Sequence, residues 1–401
     1  MTTPLWLDDE GALAFGDRAA AAPGRASAAG RAAAAVPDVE IVGAGVTGLS
    51  CALLLAGAGL QVRVHDASGV AGGASGRNAG FALRGAAIAY DEARAALGAG
   101  AARQLWALSE AALVRLAAIA GDAFRPEGSL RLAGDEAERE RVRAEHDALC
   151  EDGFAAEWRE PPVRGVAGQF HGALYHPTDG ALQPLRWIRR LAAAAEHAGA
   201  EICEGSAVAR LADLAAPVVV VATDGLGGPL LPALAGTIVP ARGQVLATAP
   251  VARRVVACPH YARGGYDYWQ QLPDGRLVVG GCRDADLAGE TTCDDAVTPE
   301  IQGRLEALAA AILGEPPVVT HRWSGAWGET PDRLPLAGPL PATVAGRGGA
   351  WIAAGYSGHG NVLGLACGEL VARAILGEPT PALAPFAPAR LLDDSVPPPG
   401  G

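Results

Sequence analysis

The sequence predicts an α/β chain: a three-layer unit with a parallel sheet, joined to a second part built on a mostly antiparallel sheet. Three observations lead there. A buried-strand pattern at Asp38–Val42 runs directly into Gly43-Ala44-Gly45-Val46-Thr47-Gly48 and an apolar helix, after which Leu60–His65 alternates as a second strand. Pro217–Ala222 carries a continuous valine run, suited to a parallel sheet covered on both faces. Thr237–Thr248, Tyr266–Leu272 and Arg276–Cys282 then follow as strand patterns, the last two joined by a Pro273–Gly275 turn.

Taken in order, residues 18–36 are nearly all alanine, glycine and arginine, with Pro23 among them, and predict a loose arm whose Pro4–Leu7 end docks on the body. The run Ile41–Val62 is long enough to imitate a membrane span. Its five glycines and its charged end at Arg63, His65 and Asp66 make it a strand, a turn and a helix (Val46–Ala58) instead. The stretch Asp91–Cys150 reads as helix, interrupted at Gly121–Pro126 and by a strand at Ser129–Ala133. An amphipathic helix follows at Leu185–Gly199, then a strand at Ile202–Leu211, a helix at Glu300–Leu313, a short strand at Trp351–Ala354 and a helix at Leu363–Leu376. These elements group into an N-terminal arm (1–36), a discontinuous Rossmann-like domain (37–89, 171–236 and 333–378), a second domain (90–170 and 237–332) and a C-terminal tail (379–401).

Half of the 401 residues are hydrophobic and 19% are charged, enough for a full core and inconsistent with a disordered chain. The 44 acidic and 32 basic residues leave a net charge of −12, and every one of those cations is arginine. An acidic chain with no basic tract is a poor ligand for nucleic acid or for an anionic membrane surface. The seven cysteines are odd in number and no two have the spacing of a zinc knuckle or a redox dithiol, so no metal is expected. With no basic, apolar leader before Pro23, the expectation is a reduced cytoplasmic protein.

The glycine motif carries the chemistry. Gly43 permits a tight turn, Gly45 lets the backbone approach a pyrophosphate, and Gly48 lets helix and strand pack; Val46 and Thr47 open the helix whose N–H groups meet the phosphates. Asp66, with Ala67 after it, lies at the end of the second strand, where a carboxylate holds ribose hydroxyls. Three further segments extend the expected site. Ala71–Gly80 contains Gly73, Ser75, Arg77, Asn78, Ala79 and Gly80, small and polar groups that run beside a long cofactor. The valine strand ends at Thr223-Asp224-Gly225. Gly355-Tyr356-Ser357-Gly358-His359-Gly360-Asn361 opens the last helix, whose dipole favours negative charge developing on the pyrimidine end of a flavin.

With these segments the sequence resembles the FAD-dependent oxidoreductases of the D-amino acid oxidase superfamily, in the branch of glycine oxidase, sarcosine oxidase and gamma-glutamylputrescine oxidase. The likeness runs from Asp38 to Gly377. Ser75–Gly80, Gly355–Gly360, the leading Leu5-Trp6-Leu7 and Asp179–Leu185 most resemble the gamma-glutamylputrescine oxidase type. The resemblance implies bound FAD, with Val208 against the adenine, Thr223 near the ADP and Pro331–Gly338 returning toward the flavin. Relatives with covalent flavin use a cysteine where this chain has Ser324, Gly325 and Ala326, or a histidine where it has Arg77 and Asn78, so noncovalent FAD is expected. Sarcosine oxidase follows its Gly-His-Gly with Phe-Lys, the lysine holding the substrate carboxylate; here Asn361 and Val362 stand there. Such enzymes also use a lysine to promote reaction with oxygen, which this chain lacks.

The implied activity is oxidation of an amine or amino acid to an imine, with hydride passing to the flavin and reoxidation by O2 or another acceptor. The protein must orient the substrate and exclude water. Candidate site groups are His359 at the flavin edge, Tyr268 and Trp269 in the aromatic strand, and Arg283 as a bidentate carboxylate ligand. Each has a plainer alternative: sheet core for Tyr268 and Trp269, a surface ion pair for Arg283, and backbone alone for the His359 loop. Other activities stay open. A D-amino acid or N-methyl amino acid dehydrogenase would use a non-oxygen acceptor, a nicotinamide-dependent reductase would hold no tightly bound yellow cofactor, and a flavoprotein with structural FAD would bind FAD that no amine reduces. A flavin disulfide reductase would need a cysteine pair near the first helix, where Cys51 stands alone.

Overall fold

A computed structural model describes residues 2–9, 36–161 and 170–392. Nearly all of the predicted loose arm, and the chain beyond Leu392, lie outside them. A six-stranded sheet runs in the order Leu336–Pro339, Ala350–Ala354, Val218–Val221, Val39–Val42, Val62–His65, Glu201–Cys203, parallel except for the antiparallel Leu336–Pro339 edge. Val39 pairs in register with both Val62 and Val218, so the strands Val39–Val42, Val62–His65 and Val218–Val221 end at one level. Gly43, Asp66 and Ala222 therefore leave the sheet side by side, at the edge where such folds bind ligands.

Helix Val46–Gly57 packs on helix Gly360–Ile375 at very short range. A Cβ at Gly368 would lie 2.0 Å from Ser50 Oγ, and one at Gly364 would lie 2.7 Å from Val46 Cγ1. That closeness fixes the two glycine-rich helix starts relative to each other.

An eight-stranded sheet runs in the order Val319–Glu329, Val239–Thr248, Leu277–Gly281, Asp267–Gln271, His260–Ala262, Ser129–Ala133, Gly172–His176, Glu157–Arg159. Only the pair His260–Ala262 with Ser129–Ala133 is parallel. Helix Pro299–Leu313 covers one face of this sheet with Ile301, Leu305, Ala309 and Ile312. A small sheet of Phe81–Ala82, Gly180–Leu182 and Phe124–Arg125 lies apart.

One predicted strand changed, and one strand was not predicted. Ile202–Leu211 stops as a strand at Cys203, because Gly205 turns the chain with φ 66°. The eleven-residue strand Val319–Glu329 carries Gly325 and Gly328, which hid its alternation; it pairs with Val239–Thr248 along the whole of that strand. At the start of the chain, Leu5 and Trp6 are fully buried, as the docked end requires. Near its end, Phe386 is buried and Arg390 pairs with Asp332 at 2.6 Å, holding residues 381–390 on the body.

Candidate active site

One cavity of about 910 Å³ runs from the C-terminal edge of the parallel sheet to one face of the eight-stranded sheet. That is near the upper end for a site holding small molecules.

At the parallel-sheet end the backbone itself is the wall. Gly43 has φ 113°, and a Cβ there would sit 2.5 Å from the Ala222 carbonyl oxygen; a Cβ at Gly48 would sit 1.9 Å from that of Gly43. Gly48 thus serves packing and does not itself line the cavity, whereas Gly43, Gly45, Val46 and Thr47 do. The helix begins with no acidic side chain in its first turn, leaving N–H groups for an anion. Ser75 Oγ accepts from the Val46 N–H at 3.0 Å. Asp66 accepts from Ala44 N–H at 2.8 Å through one oxygen and from the Ser68 and Gly69 N–H groups through the other. Its carboxylate shapes the turn, and its remaining lone pairs face a lining shared with Ala67, Gly73 and Val208. Thr223 Oγ1 on this wall is buried without a partner.

The middle of the cavity is bounded by residues 77–81, and side chains from distant parts of the chain hold their carbonyls. The indole N–H of Trp323 donates to the Arg77 carbonyl at 2.8 Å, and that of Trp6 to the Asn78 carbonyl at 2.9 Å. Gln270 Nε2 donates to the carbonyls of Ala79 and Gly80, and Asn361 Nδ2 to that of Phe81 at 2.8 Å. Trp6 and Trp323 meet edge to face, with ring centres 6.2 Å apart. Asn361 also donates to Asn78 Oδ1, locking the start of the last helix to the same segment. Arg77, Asn78 and Ala79 line the cavity, while Gly80 lies behind it against Leu182 and Gln270. The guanidinium of Arg77 is committed elsewhere, to Asp295 at 2.7 Å and the Ser324 carbonyl at 2.6 Å.

Asp224 ties the next segment down. It accepts from the N–H groups of Gly355 at 2.7 Å and Gly328 at 3.1 Å, so Gly355 acts behind the wall rather than on it. Burial raises its carboxyl above the usual range, and the backbone donors work against that shift. Ser357, Gly358, His359 and Gly360 line the cavity. Burial pushes His359 down to about 4, so its imidazole is neutral, and its Nδ1 is buried without a partner.

On the eight-stranded sheet Tyr268 faces the cavity across Gly280, where a Cβ would lie 2.1 Å from its ring, and meets Phe81 edge to face. Burial raises its phenol. Trp269, its neighbour in a strand, points to the opposite face. There it is 2% exposed and packs on His260 and Phe170, so it is core and not a site residue. Arg283 does line the cavity, between the rings of Tyr266 and Trp327 at 5.3 and 5.5 Å, but its charge is matched by an ion pair with Glu329.

Residues 38–374 match the family model described as FAD dependent oxidoreductase, DAO. The chain belongs to the DAO family of FAD-dependent oxidoreductases. It is 28% identical over 376 residues to "Probable oxidoreductase OrdL" of Rhizobium meliloti, covering 86% of this chain and 84% of that one. It is likewise 28% identical to "Gamma-glutamylputrescine oxidoreductase" of Escherichia coli, covering 85% and 84%. Among solved structures, glycine oxidase from Geobacillus kaustophilus superposes with a TM-score of 0.73 at 24% identity, over 90% of this chain and 99% of that one.

The DAO cofactor fits what is present: a glycine cradle that any Cβ would fill, free N–H groups at a helix start, and two orphaned polar atoms, Thr223 Oγ1 and His359 Nδ1, on the same wall. Among the described residues no helix is long and apolar enough to cross a membrane, and no group of three or more His, Cys, Asp or Glu could hold a metal.

Sequence reasoning missed Asp224, Gln270 and the two indole clamps. Asp224 stood inside a quoted motif and was legible as a capping carboxylate after a strand. Gln270 and the indoles act through contacts at long sequence separation, which no local pattern encodes.

Proposed function

We propose that this DAO-family protein oxidises the C–N bond of an amine or amino acid to an imine, with FAD held noncovalently. The observation that carries the reading is the single continuous cavity, which joins the glycine cradle to a chamber walled by Tyr268, Tyr266, Trp327 and the Arg283–Glu329 pair. Bound FAD would accept the hydride that leaves the substrate carbon. The amine nitrogen would give up a proton as the imine forms, the imine would hydrolyse in water, and regeneration of the cofactor would need O2, giving hydrogen peroxide, or another acceptor.

The chain's own groups supply the conditions. Tyr268, Tyr266 and Trp327 offer apolar surface that would desolvate an alkylamine, which favours its neutral, oxidisable form. His359 stays neutral near pH 7, so it offers an imidazole for hydrogen bonding rather than a cation, and the Gly360 helix start is what favours negative charge there. The Asp66 carboxylate, the Val46 helix start and Thr223 Oγ1 would hold the ADP half; Ala79, Ser357 and the Gly360 helix start would bound the ring. The chain has no lysine, so any reaction with O2 would proceed without a side-chain ammonium beside the ring.

The test is anaerobic. Purified yellow protein mixed with separate amines and with D- and L-amino acids should lose its visible flavin band with one class. Colour returning on admission of air would mark an oxidase, and slow return a dehydrogenase. Bound FAD that none of these compounds bleaches would remove the proposal.

A further inference from the structure

The eight-stranded sheet presents one unbroken rung to the cavity. Val245 pairs with Gly280, Gly280 with Tyr268, Tyr268 with Tyr261, Tyr261 with Arg131, and Arg131 with Leu174. Residues opposite one another share a face, and Val245, Tyr268, Tyr261 and Arg131 all line the cavity. Tyr268 bounds the chamber described above, whereas Arg131 lies two strands further along, about 10 Å away at the spacing of neighbouring strands. The cavity therefore reaches well past the groups that the reaction needs.

Its far end is lined with hydrogen-bond donors. Arg131 pairs through Nη1 with Glu145, yet its Nε is buried with no partner. A buried donor left unpaired is destabilising, a cost that a bound acceptor would remove. The Tyr261 hydroxyl, beside it in register, makes no hydrogen bond among the described residues. His176 lines the same end, and Arg84 Nη2 at 3.1 Å from its Nδ1 leaves Nε2 as the protonated nitrogen. Arg84 is itself neutralised by Glu110, as Arg131 is by Glu145. At the rim stand two exposed groups with no ion-pair partner among the described residues, Arg141, one helical turn before Glu145, and Glu92. Inside the rim the uncommitted groups are donors, and no free carboxylate faces them.

We propose that this end is a distal subsite for a carboxylate, so that the substrate is an extended amine carrying an acidic group about 10 Å from the carbon oxidised. Arg131 Nε and the Tyr261 hydroxyl grip the carboxylate, and His176 is a third donor. The proposal rests on the amine reading for what reacts, and on the rung alone for what binds.

The experiment measures octanoate and octanamide binding to the FAD-loaded protein by calorimetry, then compares ω-aminooctanoate with octylamine in anaerobic flavin reduction. Octanoate should bind more tightly than octanamide. Tyr261→Phe, which removes only the hydroxyl, should weaken octanoate about tenfold and leave octanamide unchanged, a loss typical of a hydrogen bond to a charged group. Arg131→Gln should do the same, and Tyr261→Phe decides the matter where Arg131→Gln fails to fold with Glu145 unpaired. Equal binding of the two probes, or an octanoate preference that survives Tyr261→Phe, overturns the subsite. Octanoate preference without bleaching by any amine keeps the subsite and removes the amine reading. Bleaching by both amines with equal efficiency, in wild type and Tyr261→Phe alike, does the reverse.

Discussion

His260 is a residue whose environment sets a pH limit. It is fully buried beside Trp269, both ring nitrogens lack partners, and burial pushes it down to about 3. The unfolded chain binds a proton at this ring below its ordinary value of 6.5, whereas the folded chain resists until about 3. Between those values the unfolded state holds more protons, so stability falls as the pH drops and is fully present above the upper value. His176 and His359 are shifted downward for the same reason and add to the effect. His260→Leu should therefore flatten the loss of stability between pH 6 and pH 4, by about 2.5 kcal/mol at most, close to the limit for one proton over two pH units. Denaturant titrations at the two pH values check this; an unchanged difference between them would show that His260 is not what limits stability.

At the scale of elements, the cavity-lining segment 77–81 has little secondary structure to fix it and is held by tryptophan, glutamine and asparagine side chains. The N-terminal segment thereby becomes part of the site. Trp6→Phe keeps the buried ring and removes only the N–H that reaches the Asn78 carbonyl, a bond worth about 1 kcal/mol. FAD affinity should fall about fivefold with little change in unfolding midpoint, as read by fluorescence titration of apoprotein. Equal affinity in the two proteins would mean that the segment keeps its shape without the indole. The strand–turn–helix of 39–57, the helix Pro299–Leu313 and the hairpin 267–281 were legible because each repeats a local period. Val319–Glu329 was not, since its glycines replace the apolar side chains that mark alternation, and its place is set by pairing with Val239–Thr248. The same limit explains Trp269. The aromatic pair was visible in the sequence, but which of two adjacent residues faces the cavity depends on the register of the sheet.

For the whole molecule, the cavity is where two sheets meet: the parallel sheet contributes Gly43, Asp66 and Thr223, and the eight-stranded sheet contributes Val245, Tyr268 and Trp327. A ligand spanning it touches both, so its binding energy stabilises both together. At a free FAD concentration of a hundred times Kd the gain is about 2.7 kcal/mol, which moves Tm by several degrees in a chain of this size. The expected melting profile is one transition that climbs with added FAD, followed by calorimetry on apoprotein and on protein with rising cofactor. Two transitions, of which FAD moves only one, would mean that the sheets unfold independently and that the eight-stranded sheet gains nothing from the cofactor. Such an outcome would also weaken the distal subsite as a substrate site, because the Tyr261–Arg131 rung can serve the reaction only if its sheet is held in register against the cradle.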